Sequence, residues 1–583
     1  MMKDHKTVKK TTKSHKNLKK RSRKHSKNQY DTIIVGAGIA GLNTAYQIIK
    51  KHPKHKILIL EASDRIGGRL NTINYKGTQY EAGGARFNNQ HKRLMKLLSV
   101  FNLDSNKIPI PSDIYFKPFP KDFVDKYDYI NEFVNDKGII DIHPLIKELS
   151  QLKQNGKISY RELLNHSLLD LVDKKLNTKY PNIKYIFESV FEYWSEVAVL
   201  NSYEALQVFK NDFNTKMQFY LLQGGLSSLI QSFNNYLKKH NVDIKKNCYL
   251  DSIIRNNDKI YNLKVLKNYQ DKKEYSCNNL VLAIQQKDLL KLNYLSRHQN
   301  ILKLLNTVSH QPLYRIYAKY PVINGKVWFQ EVPKICTNLH IKFIIPYDTK
   351  KGLIMISYTD GKLAKYWNDQ LSKGEEILLN KLNQDLGKLF PDIKIPNPVW
   401  IKHHYWSSGA AYWKTGSESN KIIPQIIEPI KNEPLYICGE NFSNHQAWME
   451  GALQTSEMVV TNITKNIKPT ISSLSNKVSK KSQKGGKISK SKIVKKNNKS
   501  NSKQSKKISK YTMKQVEKHN KKSDAWLVIN KKVYDVTKWI NKHPGGNIIM
   551  KGVGKDATSL FRNVGHSSNA KKILKGLQIG ILI

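Results

Sequence analysis

Residues 31–41 read DTIIVGAGIAG, and this stretch restricts the fold more than any other part of the chain. A β-branched run at 32–35 enters the turn Gly36, Gly38, Gly41, and a helix-forming stretch, 42–50, leaves it. The first glycine permits a tight turn, and the second lets a pyrophosphate approach the backbone. The third lets helix and strand pack closely, with the helix N-terminus toward the phosphates. A second strand, KILIL, ends at Glu61, where a carboxylate is placed to accept ribose hydroxyls. Strand, turn, helix and strand together predict a dinucleotide cradle in an α/β protein.

Residues 61–69, EASDRIGGR, resemble the FAD-binding signature of the flavin-containing amine oxidases, which include L-amino-acid, polyamine and monoamine oxidases. Similar segments recur in order: YEAGGARF (80–87), QGGLSSLIQSF (223–233), NCYLDSI (247–253), LVLAIQQ (280–286) and LYICGENFSNHQAWMEGALQTSE (435–457). The resemblance covers most of residues 30–465. It implies FAD around Gly36, Gly38 and Gly41, with Ile39, Ala40, Glu61, Ala62 and Arg69 at the adenosine and pyrophosphate. Leu250 would meet the adenine through its backbone. Gly83, Gly84, Ala85 and Arg86 would lie by the flavin ring, Glu440 by the ribityl–phosphate region and Met449 near the ring. No second nucleotide fingerprint is visible, so reduction by a nicotinamide is not expected.

The resemblance also implies the chemistry: oxidation of an amine to an imine, then hydrolysis to a carbonyl. Two aromatic side chains that flank the amine in this family fall on Tyr412, in SSGAAYWKTG, and Trp448, in HQAWMEGA. Ala411 stands where the monoamine oxidases attach FAD through cysteine, so FAD is expected to be non-covalent. The family's flavin-side lysine falls on Arg315, with Lys319 as the alternative and a surface position open for both. Arginine's planar, permanently charged fork is no simple replacement for lysine. Arg86 matches the arginine that clamps the substrate carboxylate in L-amino-acid oxidases, a role suited to a bidentate guanidinium. A structural ion pair is the other reading of Arg86.

Near the end of the sequence, WLVINKKVYDVTKWINKHPGG, GKDATSLF and VGHS resemble a cytochrome b5 domain over residues 511–583. His543 precedes Pro-Gly-Gly, which turns the chain, and His566 follows a helical stretch with Leu560 and Phe561. Two imidazoles on opposite faces fill both axial positions of haem iron, leaving no place there for oxygen. Haem b is therefore the second expected cofactor, serving single-electron transfer.

The expected fold is a Rossmann-type FAD-binding domain with an inserted α+β substrate domain, plus a small α+β cytochrome b5-like domain. The FAD part is expected at about 30–110, 220–310 and 400–465, and the substrate part at 111–219 and 311–399. Residues 1–29 and 466–510 carry 26 of the chain's 53 net positive charges. They read as a disordered basic tail and a Lys/Ser-rich linker that could meet nucleic acid, anionic membrane or acidic protein. With 88 lysines against 11 arginines, Lys-rich drift in an A/T-rich genome explains the same tracts. Four scattered cysteines and no long apolar run suggest a soluble intracellular protein, in cytoplasm, nucleus or virion rather than secreted. The partners expected are a small amine or amino acid, and oxygen or haem as electron acceptor. Two other function classes stay open: a flavin dehydrogenase or desaturase of a non-amine substrate, and a non-catalytic cofactor protein that binds polyanions.

Overall fold

The computed structural model describes residues 28–467 and 509–583, apart from 124, 192, 213–216, 544, 545 and 564–567. The basic tail and almost all of the linker lie outside the described residues. The chain divides into two units, one before and one after residue 474 in the sequence.

In the first unit, strand Gln29–Val35 runs into helix Ile39–Lys51 and then strand Ile57–Leu60, whose four residues are all buried. Continuous apolar runs of this kind suit parallel strands covered on both faces. Ile33 pairs with Leu58 on one side and with Leu280 on the other, both in parallel. The seven-stranded sheet is ordered Cys248–Arg255, Tyr261–Lys267, Asp271–Leu282, Gln29–Val35, Ile57–Leu60, Asp243–Lys245. Strand Leu435–Ile437 adds in parallel to the end of Asp271–Leu282. The carboxyl ends of these central strands converge where a ligand crevice forms in open α/β sheets.

A six-stranded sheet forms the second half: Trp400–Trp413, Val308–Lys319, Leu353–Asp360, Phe343–Asp348, Ile335–Cys336 and Tyr115–Phe116. Strand Trp400–Trp413, expected within the FAD part, pairs with Val308–Lys319 in this second sheet. The end of this fourteen-residue strand, still paired with residues 308–311, brings Gly409, Ala410 and Tyr412 to the nucleotide cradle.

The two halves are joined by a buried carboxylate. Glu440, only 3% exposed, accepts from Arg69 Nη2 at 2.7 Å and from the Ala411 and Ala447 N–H groups at 2.8 and 3.2 Å. Arg69 Nη1 donates to the Gly409 carbonyl at 2.9 Å. One ion pair thus fixes the segment after Ile57–Leu60, the end of Trp400–Trp413 and the approach to helix Met449–Asn466. Burial alone would raise the Glu440 carboxyl. The Arg69 charge and hydrogen bonds, with the Ala411 N–H, outweigh it and hold the carboxyl below its usual range.

The second unit is a five-stranded sheet ordered Ser509–Tyr511, Gln578–Leu582, Lys532–Asp535, Asp524–Ile529, Asn520–Lys521. Leu527, Ile529, Tyr534, Val536, Ile540 and Val553 form its main core, and Val516, Val528 and Val533 a smaller one on the other side. Among the described residues, no helix is long and apolar enough to cross a membrane.

Glu440→Gln should cost about 3–5 kcal/mol, because it removes one partner of a buried pair. A depressed folded pKa contributes stability above the ordinary glutamate value of ~4.3, lost as pH falls through the folded value. Denaturant unfolding between pH 3 and 7 should therefore show a weaker acid-side decline in Glu440→Gln than in wild type.

Candidate active site

One cavity of about 1340 Å³ runs along the carboxyl ends of the first sheet and into the space under the second. It exceeds the ~300–1,000 Å³ of ordinary small-molecule pockets, so it has room for a dinucleotide and a substrate together.

Backbone geometry makes the first half of it. Gly36 has φ +103°, and a Cβ there would lie 2.4 Å from the Ala283 carbonyl oxygen. A Cβ on Gly41 would lie 2.0 Å from the Gly36 carbonyl oxygen, whereas one on Gly38 would stand in open space. Helix Ile39–Lys51 has no acidic residue in its first turn and no side-chain cap, so its N-terminal N–H groups remain suited to an anion. Glu61 accepts from the Ala37 N–H at 2.8 Å and from Ser63, which fixes its carboxylate at the cavity edge. Tyr249, Leu250, Leu266 and Tyr269 line the far end as an apolar seat. These features fit FAD.

Of the residues expected around FAD, Gly36, Gly38, Ile39, Ala40, Glu61, Ala62, Arg69, Gly83, Gly84, Ala85, Arg86, Leu250, Glu440 and Met449 line this cavity. Gly41 does not; it acts behind the wall as the contact between helix and turn. Arg69 and Glu440 line the cavity while their terminal groups bind each other, so the pair frames the cradle as well as facing it.

The second half is aromatic. Tyr412 and Trp448 both line it, and Trp448 is 9% exposed. The Trp448 ring lies 4.8 Å from His91 and 6.2 Å from Phe219, centroid to centroid, and its Nε1 is buried with no hydrogen-bond partner. Burial pushes the Tyr412 phenol well above its ordinary pKa, and the Glu196 carboxylate adds to the shift. Arg86 donates to the Tyr193 hydroxyl at 2.5 Å, and its guanidinium lies 4.8 Å from the Phe219 ring centre and 5.9 Å from that of Trp448.

Arg315 is 7% exposed and donates to the Glu81 carbonyl at 3.0 Å, with its guanidinium 4.7 Å from the Tyr358 ring centre. This corrects the surface reading of Arg315: strand Val308–Lys319 turns it inward to the cavity. Lys319 pairs with Trp400 and Leu353 and does not line the cavity.

Tyr193, Glu196, Tyr347 and Tyr358 line the substrate half without having been singled out in the sequence. The one local signal was the acid-and-aromatic cluster EYWSEV at 192–197, placed inside an otherwise apolar helical stretch.

In the second unit, His543 follows the short helix Ile540–Lys542, and its N–H donates to the Ile540 carbonyl at 3.3 Å. His566 lies outside the described residues. Ile548 and Leu560 are exposed, while Ile549, Met550 and Phe561 pack against the core beneath. Uncovered apolar side chains at 548 and 560 fit a haem edge.

The profile of the flavin containing amine oxidoreductases matches residues 39–464, and that of the cytochrome b5-like heme/steroid binding domain matches 512–583. Cytochrome b5 of Borago officinalis is 49% identical over 70 residues, which is 12% of this chain and 53% of that protein. Cytochrome b5 of Drosophila melanogaster is 45% identical over 73 residues, 12% of this chain and 54% of that protein. The chain thus spans about half the length of the curated relatives it matches. A solved structure from Exiguobacterium sp. 255-15, provisionally described as a protoporphyrinogen oxidase, superposes with a TM-score of 0.55 at 14% identity. It covers 76% of this chain and 100% of its own, a likeness of fold alone. FAD and haem follow from the two matches as cofactors. The nucleotide cradle and the sequence match agree over the same stretch, and the chain belongs to the flavin containing amine oxidoreductase family, joined to a cytochrome b5-like domain at 512–583.

Proposed function

We propose that this oxidoreductase converts an amine or amino acid to its imine, which hydrolyses to the carbonyl, and passes the electrons singly to its own haem or to oxygen. The observation that carries the reading is the chamber where Tyr412, Trp448 and Arg86 share one cavity with the nucleotide cradle. Bound FAD would supply the acceptor for a hydride equivalent. The chain's own residues orient the reacting carbon and exclude water. Tyr412 and Trp448 give the amine two aromatic walls, and desolvation there favours a neutral amine over an ammonium ion. Arg86, held by the Tyr193 hydroxyl, offers a fork for a carboxylate. In the second unit His543 and His566 would hold haem iron from both faces, confining it to electron transfer.

Amino acids are expected to bleach the flavin anaerobically, while their decarboxylated amines react poorly. Arg86→Ala should lose mainly that discrimination, by about 1.5–3 kcal/mol, and Arg86→Lys should not restore it fully. Equal flavin reduction by both members of each pair in wild type would remove the carboxylate clamp. Reduction by no amine or amino acid would turn the reading toward a non-amine substrate.

Ala411 is buried and donates its N–H to Glu440, leaving no thiol for a flavin bond. Acid or heat denaturation should therefore release all flavin to the supernatant; flavin that stays with the precipitate contradicts this.

For the haem, His543→Ala or His566→Ala should each abolish the six-coordinate low-spin spectrum while flavin absorbance persists. A low-spin spectrum retained in either variant would reject that ligand.

A further inference from the structure

A substrate ammonium has no lone pair to support loss of hydride from its carbon. For an amine with a pKa near 10, only about one molecule in a thousand is neutral at pH 7. The chamber holds a group suited to this problem. Glu196, 6% exposed, lines the same cavity as Tyr412, Trp448 and Arg86. It lies on helix Trp194–Ala198, directly after the Tyr193 whose hydroxyl holds Arg86. A cation and an anion therefore line one chamber, as the two charges of an amino acid require. Among the charged neighbours that act on the Tyr412 phenol, Glu196 has the largest effect.

We propose that Glu196 receives the amine end of the substrate, pairs with its ammonium and takes one proton from it before oxidation; this rests on the amine reading above. The N–H bond breaks, an O–H bond forms on the Glu196 carboxyl, and the lone pair stays on nitrogen. The neutral amine could then give up a hydride equivalent, which bound FAD would accept; the product would depart as an iminium ion, and the Glu196 carboxyl would release its proton to solvent as the site empties.

Several ionisable groups surround Glu196. Arg86 and Arg315 are cations that line the same chamber. Asp360 and Glu440 act on Tyr412 as Glu196 does, and Glu204 shares a small void with Glu196 and Tyr412. Tyr193, Tyr358 and Tyr412 line the same chamber. On helix Leu168–Leu176, packed against the Glu196 helix, Asp170 is exposed and pairs with Lys184.

Two measurements test the assignment. Anaerobic flavin reduction in Glu196→Gln should be slower at pH 7 by about a hundred- to ten-thousand-fold, as for loss of a general base. It should then recover about tenfold per pH unit toward the ammonium pKa, and Glu196→Asp should restore part of the rate. A purely structural role would lower the rate equally at every pH and would overturn the proposal. Wild-type rates and slope in Glu196→Gln would also overturn it while leaving the amine reading intact. If no amine or amino acid reduces the wild-type flavin, both fall. The second measurement needs no variant. At pH 7, wild-type holoenzyme is titrated with 2-aminoisobutyrate and tert-butylamine, which carry no hydrogen on the carbon bearing nitrogen. Binding is read from the flavin spectrum and protons from an indicator dye. Transfer within the site predicts no net proton release, whereas release of one proton per site overturns the proposal.

Discussion

A carboxylate almost without access to water holds the catalytic half of this chain in shape. Isolated in the interior, Glu440 would be neutral or the fold would open around it. Instead Arg69 and two backbone N–H groups share its charge, and each of these partners belongs to a different part of the cradle. Because a buried ion needs near-complete hydrogen bonding, the geometry tolerates little slack. The same bonds that satisfy the charge set the end of Trp400–Trp413, and through it the position of Tyr412.

The substrate chamber follows a different rule. Its walls come from three sources: the helical stretch bearing Tyr193 and Glu196, the second sheet bearing Arg315 and Tyr358, and the entry to helix Met449–Asn466 bearing Trp448. Tyr193, Tyr347, Tyr358, Tyr412 and Trp448 line it, and the charged groups lie against aromatic rings. Arg86 lies against Phe219 and Tyr193, and Arg315 against Tyr358. Such contacts keep a guanidinium ordered without neutralising it.

What the sequence disclosed follows from how local each feature is. The nucleotide cradle was legible because glycines, an apolar strand and Glu61 act within about thirty residues, and each answers to a steric or electrostatic need of the ligand. The haem domain was legible for the same reason: its signal is a local run, and residues 512–583 match that family. Arg315 was left open between the flavin side and the surface because a single arginine in a strand carries no mark of which face it takes. Only pairing with Leu353–Asp360 and Trp400–Trp413 decides that. Strand Trp400–Trp413, expected with the FAD part, takes its partner Val308–Lys319 in the second sheet. Tyr193, Glu196 and Tyr358 went unread because their shared wall exists only after distant segments meet.

The strand order also bears on how the protein is made. Arg69 and Glu440 are 371 residues apart, and Leu435–Ile437 joins the sheet beside strands translated far earlier. At typical ribosomal speeds of about 5–20 residues per second, roughly 20–75 s separate the two ends of that ion pair. Through that interval the nascent chain displays the glycine turn and its apolar strands without their closing partner. Cofactor capture is therefore a late event of biosynthesis, and the half-finished sheet is the stage most exposed to chaperones and to misassembly.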